Sequence, residues 1–109
     1  MGKKPKYSLR YLPLFYEDLE GAVDYIANKL KNIMAANKLI DDVEEAIFER
    51  LPVCESFEQY NSKRERAYPY YRIYVNNYTI YYVVIEGADD EKIMEVRRIL
   101  NNRQNRDVL

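Results

Sequence analysis

The sequence predicts a single α+β domain, ordered β-α-α-β-β-β, in which a two-helix hairpin packs against an antiparallel sheet. Two stretches with apolar residues at every third or fourth position follow each other in the first half of the chain. Three stretches rich in tyrosine and β-branched residues occupy the second half, and one alternating stretch precedes the helices. A length of 109 residues with 48% hydrophobic residues suits one core, so we expect one domain over 1–109.

The first half is predicted to contain one strand and two helices. Apolar and polar residues alternate over 7–12, which is typical of a strand. Pro13 suits the first turn of a helix, and the apolar residues of 14–31 form one stripe. Asn32 is a candidate N-cap for a second helix over 33–51. Because so few residues separate the two stripes, the helices should form an antiparallel hairpin.

The second half is predicted to form three strands joined by tight turns. Residues 53–67 are polar and irregular, as in a surface loop. Residues 70–85 contain two strand-like stretches around the pair Asn76-Asn77, which tolerates a left-handed backbone. A second turn at 87–90 leads to a third strand over 92–100. We expect the tyrosines of the hairpin to pack mainly in the core, with the outward ones available to a partner.

Charge is segregated along the chain, although the net charge is only −1. Residues 13–51 carry an excess of acids, whereas 61–72 and 97–109 carry an excess of bases. An anionic partner should therefore meet the second half of the chain. Within the last strand, Arg97 and Arg98 are adjacent and should face opposite ways, so one of them should be solvated or paired with an acid on a helix.

Composition excludes several classes of function. No apolar run approaches the ~20 residues that cross a bilayer, and no secretory signal follows the basic N-terminus, so we expect a cytoplasmic protein. Cys54 is the only cysteine and there is no histidine, which excludes a Cys/His nucleophile pair and argues against a zinc site. No metal or cofactor is expected. Proton transfer near neutral pH would need a perturbed carboxylate, lysine or tyrosine.

Several segments carry a family resemblance, together with the order of elements. They are Asp18-Leu19 through Tyr25-Ile26, Ala35-Ala36 through Leu39-Ile40, Tyr71-Arg72-Ile73 with Tyr78 and Tyr81-Tyr82, and the closing Val96-Arg97-Arg98-Ile99-Leu100-Asn101-Asn102-Arg103. In these segments the chain resembles the RelE/ParE superfamily of toxins from bacterial type II toxin–antitoxin systems. The resemblance runs from Tyr7 to Leu109. It implies a cognate antitoxin as partner, in a toxin–antitoxin hetero-oligomer.

The superfamily contains RelE-like toxins, which cut mRNA in the ribosomal A site without a metal, and ParE-like toxins, which inhibit DNA gyrase. Arg72 and Arg103 match basic positions of the RelE-like nucleases and would be the catalytic residues of such an enzyme. However, Tyr74, Thr79 and Leu109 stand where those enzymes carry a lysine, an arginine and a catalytic tyrosine. What remains is a clamp for phosphate with no evident acid or base.

We therefore favour a ParE-like gyrase inhibitor, because the long helical hairpin and the closing basic segment are also similar to that branch. A RelE-like mRNA endonuclease is the alternative, and an inactivated toxin or plain binding module is the third hypothesis. Under any active interpretation we expect further contacts to the target from Lys63, Arg64, Arg98 and Arg106. The alternative for the loop bases Lys63 and Arg64 is an exposed surface without a ligand.

Overall fold

The computed structural model describes residues 6–60, 67–104 and 109. No helix within these residues is long and apolar enough to cross a membrane. The helical part comprises α1, a π-helical turn, α2 and a 3₁₀ turn, at Pro13–Asp24, Tyr25–Lys29, Ile33–Arg50 and Leu51–Val53. The strands are β1 at Lys6–Tyr11, β2 at Gln59–Tyr60, β3 at Tyr70–Val75, β4 at Tyr78–Glu86 and β5 at Glu91–Asn101.

The sheet confirms the α+β class but is mixed rather than wholly antiparallel. Its strand order is β1-β5-β4-β3-β2, and β1 runs parallel to β5, from Lys6 opposite Glu91 to Tyr11 opposite Val96. The other three pairings are antiparallel. The direction of β1 escaped prediction because two helices, not a hairpin turn, join it to the other strands. The two-residue β2 lies in the stretch that was predicted to be an irregular loop.

The two helices form the predicted hairpin, with one irregularity. Pro13 is the first residue of α1, as expected. The α-helix ends at Asp24 and continues as a π-turn, in which Leu30 N–H donates to the Tyr25 carbonyl at 3.1 Å. Asn32 is confirmed as the N-cap of α2, since its side-chain oxygen accepts a hydrogen bond from Ala35 N–H at 3.0 Å.

The sheet is apolar on both faces. The larger core lies between the helices and the sheet, and it includes Phe15, Leu39, Val43, Ile47, Tyr71, Ile73, Ile80, Tyr82, Met94, Val96 and Ile99. A smaller cluster lies on the face turned away from the helices and consists of Tyr70, Tyr81, Val83, Leu100 and Leu109. We call this second side the open face. The tyrosines of β3 and β4 are thus shared between the two faces, as the strand period of two requires.

Both predicted turns are present. Asn76 has a positive φ of 53°, which confirms the left-handed backbone expected between β3 and β4. Between β4 and β5, Asp89 and Asp90 have φ of 53° and 64°, and Glu91 N–H donates to the Ala88 carbonyl at 3.0 Å. Two successive left-handed residues are typical of a type I′ turn, whose twist matches that of the flanking strands.

Candidate functional site

Arg98 is held inside the fold by the first helix. Its Nε and Nη2 donate to the two carboxylate oxygens of Asp18 at 2.7 and 2.9 Å, and the two side chains are only 16% and 13% exposed. Asp18 also accepts the Ile99 N–H at 3.2 Å. β1 ends opposite Val96, so beyond that point β5 is paired with β4 on one edge and its other edge is open to Asp18. The Asp18 hydrogen bonds raise the pKa of Arg98. The expectation that one of the two arginines is solvated or paired with a helix acid is confirmed, but the expectation that they face opposite ways is wrong, because a β-bulge at Arg97 interrupts the alternation of the strand.

Arg97 lies on the open face, beside the ring of Tyr70, and the register places Arg98 opposite Tyr81 of that same face. The register between β4 and β5 shifts at Tyr81/Tyr82, which leaves Arg97 as the extra residue of a β-bulge. Its Nε donates to the buried carboxylate of Glu95 at 2.8 Å, and Arg10 donates to the same carboxylate. Burial alone would raise the pKa of Glu95, but the hydrogen bonds from the two arginines outweigh it and lower that pKa.

Arg72 also lies on the open face, because it pairs across the sheet with Tyr81. Its guanidinium carbon is 4.8 Å from the ring centre of Tyr60 and 5.7 Å from that of the exposed Tyr74. Such stacking uses the flat faces of the guanidinium and leaves its N–H edge able to hold an oxyanion. Arg72 therefore retains the chemistry of a phosphate contact.

Arg103 is exposed and lies just after β5, where its N–H donates to the Asn101 side chain at 2.9 Å. Arg103 borders a cavity of about 420 Å³ between the helical hairpin and the end of the sheet. The other residues that line this cavity are Tyr25, Ile26, Leu30, Ala35, Asn77, Tyr78, Asn101 and Asn102. Arg72 on β3 pairs with Tyr81 on β4, which pairs with Arg98 on β5. Arg72 is therefore two strands from β5, at the height of Arg98 and three residues before Asn101, where β5 ends. The two proposed catalytic arginines are thus separated by about 10 Å along the sheet and about 10 Å across it.

Of the three positions where RelE-like nucleases carry further catalytic groups, two are buried and the third, Tyr74, is exposed on the open face. Thr79 is buried, and its hydroxyl donates to the Asn102 side chain at 2.6 Å. Leu109 is buried against the tyrosines of the open face. Within the described ranges, no group of histidine, cysteine or acidic residues could hold a metal ion. Cys54 is fully buried, and that burial raises its pKa to about 11, so the thiol is not poised as a nucleophile.

Three of the predicted target-binding residues, Lys63, Arg64 and Arg106, lie outside the described residues. One feature of the surface was not predicted from the sequence. Residues 29–34 join the two helices, and we call them the hairpin tip; all six are exposed, including Leu30, Ile33 and Met34. The sequence could have indicated this exposure, because Ile33 and Met34 lie outside the apolar stripe of α2, whose buried residues begin at Ala36.

A family model described as the ParE toxin of type II toxin–antitoxin system, parDE, matches residues 9–106. The matched stretch includes both helices and all strands from β2 to β5. No curated protein matches the chain.

Proposed function

The chain belongs to the ParE toxin family of type II toxin–antitoxin systems, and from this membership we propose that it arrests bacterial growth by inhibiting DNA gyrase. A toxin of this kind implies a cognate antitoxin. We place both proteins in the cytoplasm, where gyrase acts. The fold alone does not select the target, because the same superfamily serves two chemistries.

One observation carries the choice of gyrase over mRNA. Thr79 and Leu109, which replace an arginine and a tyrosine of the nucleases, are both buried in the fold. Neither position therefore presents a group that could donate or accept a proton at a phosphate. A nuclease would need a different acid and base. Among the described tyrosines with a shifted pKa, the change is upward, away from neutral pH.

The placement of the basic residues also supports a binding function. Cleavage of RNA through its 2′-hydroxyl requires charge stabilisation and proton transfer at one phosphate. Arg72 lies on the open face, whereas Arg103 borders the cavity beside the helices, so the two side chains belong to different surfaces of the protein. We propose that Arg103 contributes to target binding, with Lys63, Arg64 and Arg106 as further contacts. We propose a structural role for Arg98, whose guanidinium is occupied by Asp18.

The cavity bordered by Arg103 suits part of the antitoxin. It is about 420 Å³, largely apolar in its helical wall, and open beside an exposed cation. A helix or extended segment with apolar side chains and one carboxylate would fill it and pair with Arg103. We propose that the antitoxin neutralises the toxin in this way, within a hetero-oligomer.

A supercoiling assay tests the proposed target. Purified chain is titrated into bacterial gyrase with relaxed plasmid, and we expect supercoiling to stop while mRNA in a reconstituted translation reaction remains intact by primer extension. Arg103→Ala should weaken inhibition about tenfold, and Lys6→Ala, which removes an exposed cation at the start of β1, should leave it unchanged. Ribosome-dependent cuts, lost in Arg72→Ala, would instead establish the nuclease. A chain with neither activity would be an inactivated toxin or a binding module.

A further inference from the structure

The hairpin tip presents apolar surface that the rest of the described chain does not cover. Leu30, Ile33 and Met34 are 57%, 68% and 84% exposed. Large apolar side chains exposed singly are common, but three of them within five residues form a patch. Such patches usually mark an interaction site.

Backbone hydrogen bonds hold the tip in one conformation. Asn32 N–H donates to the Ile26 carbonyl at 3.0 Å, while the Asn32 side chain caps α2. Lys31 takes the left-handed φ of 52° that reverses the chain. The π-turn before it, a feature found often at functional sites, ends at Lys29. The apolar side chains are therefore displayed on a fixed scaffold, which lowers the entropic cost of binding.

Charge indicates the character of the partner. Lys29 and Lys31 flank Leu30, and both are exposed. Among the described residues neither lysine is in an ion pair, whereas Lys38, one turn into α2, is paired with Asp42. A partner surface with an apolar centre and acidic groups around it would complement this tip.

Shape then separates the target from the antitoxin. The tip is the turn at the end of the helical hairpin, and all six of its residues are exposed, so its side chains project outward and suit a concave receptor. A short antitoxin segment offers side chains to a groove, and the cavity beneath Leu30 is such a groove. A large folded target can provide the concavity. We propose that the hairpin tip inserts into an apolar cleft with an acidic rim on the toxin's protein target. Naming gyrase as that target rests on the proposed function above.

The test compares Ile33→Ser/Met34→Ser with Phe48→Ser, which removes an apolar side chain 60% exposed near the other end of α2. Circular dichroism should show both variants folded. We expect Ile33→Ser/Met34→Ser to raise the concentration for half-inhibition of supercoiling at least tenfold, and Phe48→Ser to change it less than twofold. Lys29→Glu should weaken inhibition about as much as the double variant, because it opposes the acidic rim.

Equal potency of the double variant and the wild type would overturn the proposal. If the wild type does not inhibit gyrase, the proposed function fails. Growth arrest on expression then tests the proposal for the tip, and a double variant that still arrests growth would overturn that proposal. Loss of co-purification with antitoxin co-expressed from the host locus, at unchanged potency, would assign the tip to the antitoxin. Binding of the wild type to phosphatidylglycerol vesicles, lost in the double variant, would assign it to a membrane. A wild type that neither inhibits gyrase nor arrests growth overturns both proposals.

Discussion

Replacing Asp18 by alanine should destabilise the fold more than most surface substitutions, because Asp18 serves two groups at once. Its carboxylate binds the Arg98 guanidinium through two hydrogen bonds and also accepts the Ile99 N–H. Removing one partner of a buried ion pair costs about 3–5 kcal/mol, and this pair is slightly exposed, which lowers the cost. The unsatisfied N–H adds about 1 kcal/mol. We therefore expect Asp18→Ala to lower the free energy of unfolding by about 3 kcal/mol.

The measurement is urea unfolding followed by far-ultraviolet circular dichroism, which should be two-state for a chain of this size. A double-mutant cycle with Arg98→Met separates the energy of the Asp18–Arg98 ion pair from the other interactions of Asp18. Arg98→Met keeps much of the side-chain volume but leaves the Asp18 carboxylate without its cation, so it should also destabilise the protein, by about 2 kcal/mol. Adding Asp18→Ala to Arg98→Met should then cost only about 1 kcal/mol, mainly for the Ile99 N–H. The coupling energy between the two residues should be about 2 kcal/mol.

Two results would refute this reasoning. A loss below about 1 kcal/mol in Asp18→Ala would place the pair among surface ion pairs, which contribute little. Strict additivity of the two substitutions would mean that Asp18 and Arg98 do not interact in solution. A third result bears on function: if Arg98→Met weakened inhibition of the target without changing stability, Arg98 would be a target contact and not a structural residue.

Three further predictions concern stability. Asp89→Asn combined with Asp90→Gly should raise stability by about 1 kcal/mol in thermal unfolding, because these residues suit the left-handed positions of the turn. The pKa of Glu95 is lower in the folded protein than in the unfolded chain. Its ionised carboxylate therefore adds to the free energy of unfolding above the unfolded pKa, and this stabilisation is lost as pH falls through the folded pKa. Glu95→Gln should destabilise the protein at pH 7 and make its stability less dependent on acid pH. Burial raises the pKa of Cys54 to about 11 and that of Tyr82 to about 12, so stability should decline as pH rises above about 9, by up to about 3 kcal/mol for each group. Cys54→Ala should remove the part of this loss of stability that begins above about pH 9 and comes from the thiol.

Local signals account for the elements that the sequence predicts well. The cap at Asn32 depends on residues within one helical turn, and the left-handed Asn76 depends on the two strands that it directly joins. The apolar stripe of α2 requires only that one side of the helix face a sheet. Each of these features can be deduced from a short window of sequence, and each is present in the structure.

The parts that escaped prediction depend on contacts between distant residues. The parallel pairing of β1 with β5 joins Lys6 to Glu91, and no turn between them fixes their direction. The sequence predicted solvent or a helix acid for one of Arg97 and Arg98, but it could not identify Asp18, which lies 80 residues from Arg98. Leu109 was noted only for lacking a hydroxyl, whereas its burial on the open face depends on how the chain end packs. A charge pattern alone cannot tell which cations are already paired.

The two hypotheses for the target place the functional surface on different parts of the molecule. A nuclease, as predicted, would need Arg72 on the open face, beside the rings of Tyr60 and Tyr74, in addition to Arg103. A gyrase inhibitor, as proposed, would use the hairpin tip and Arg103 at the far end of β5. Arg72 lies on the open face of the sheet, whereas the tip lies at the end of the helical hairpin, so the substitution of Arg72 and that of Ile33 with Met34 should act independently. Growth arrest that survives Arg72→Ala and is lost with the tip variant would therefore favour gyrase, and the opposite pattern would favour mRNA.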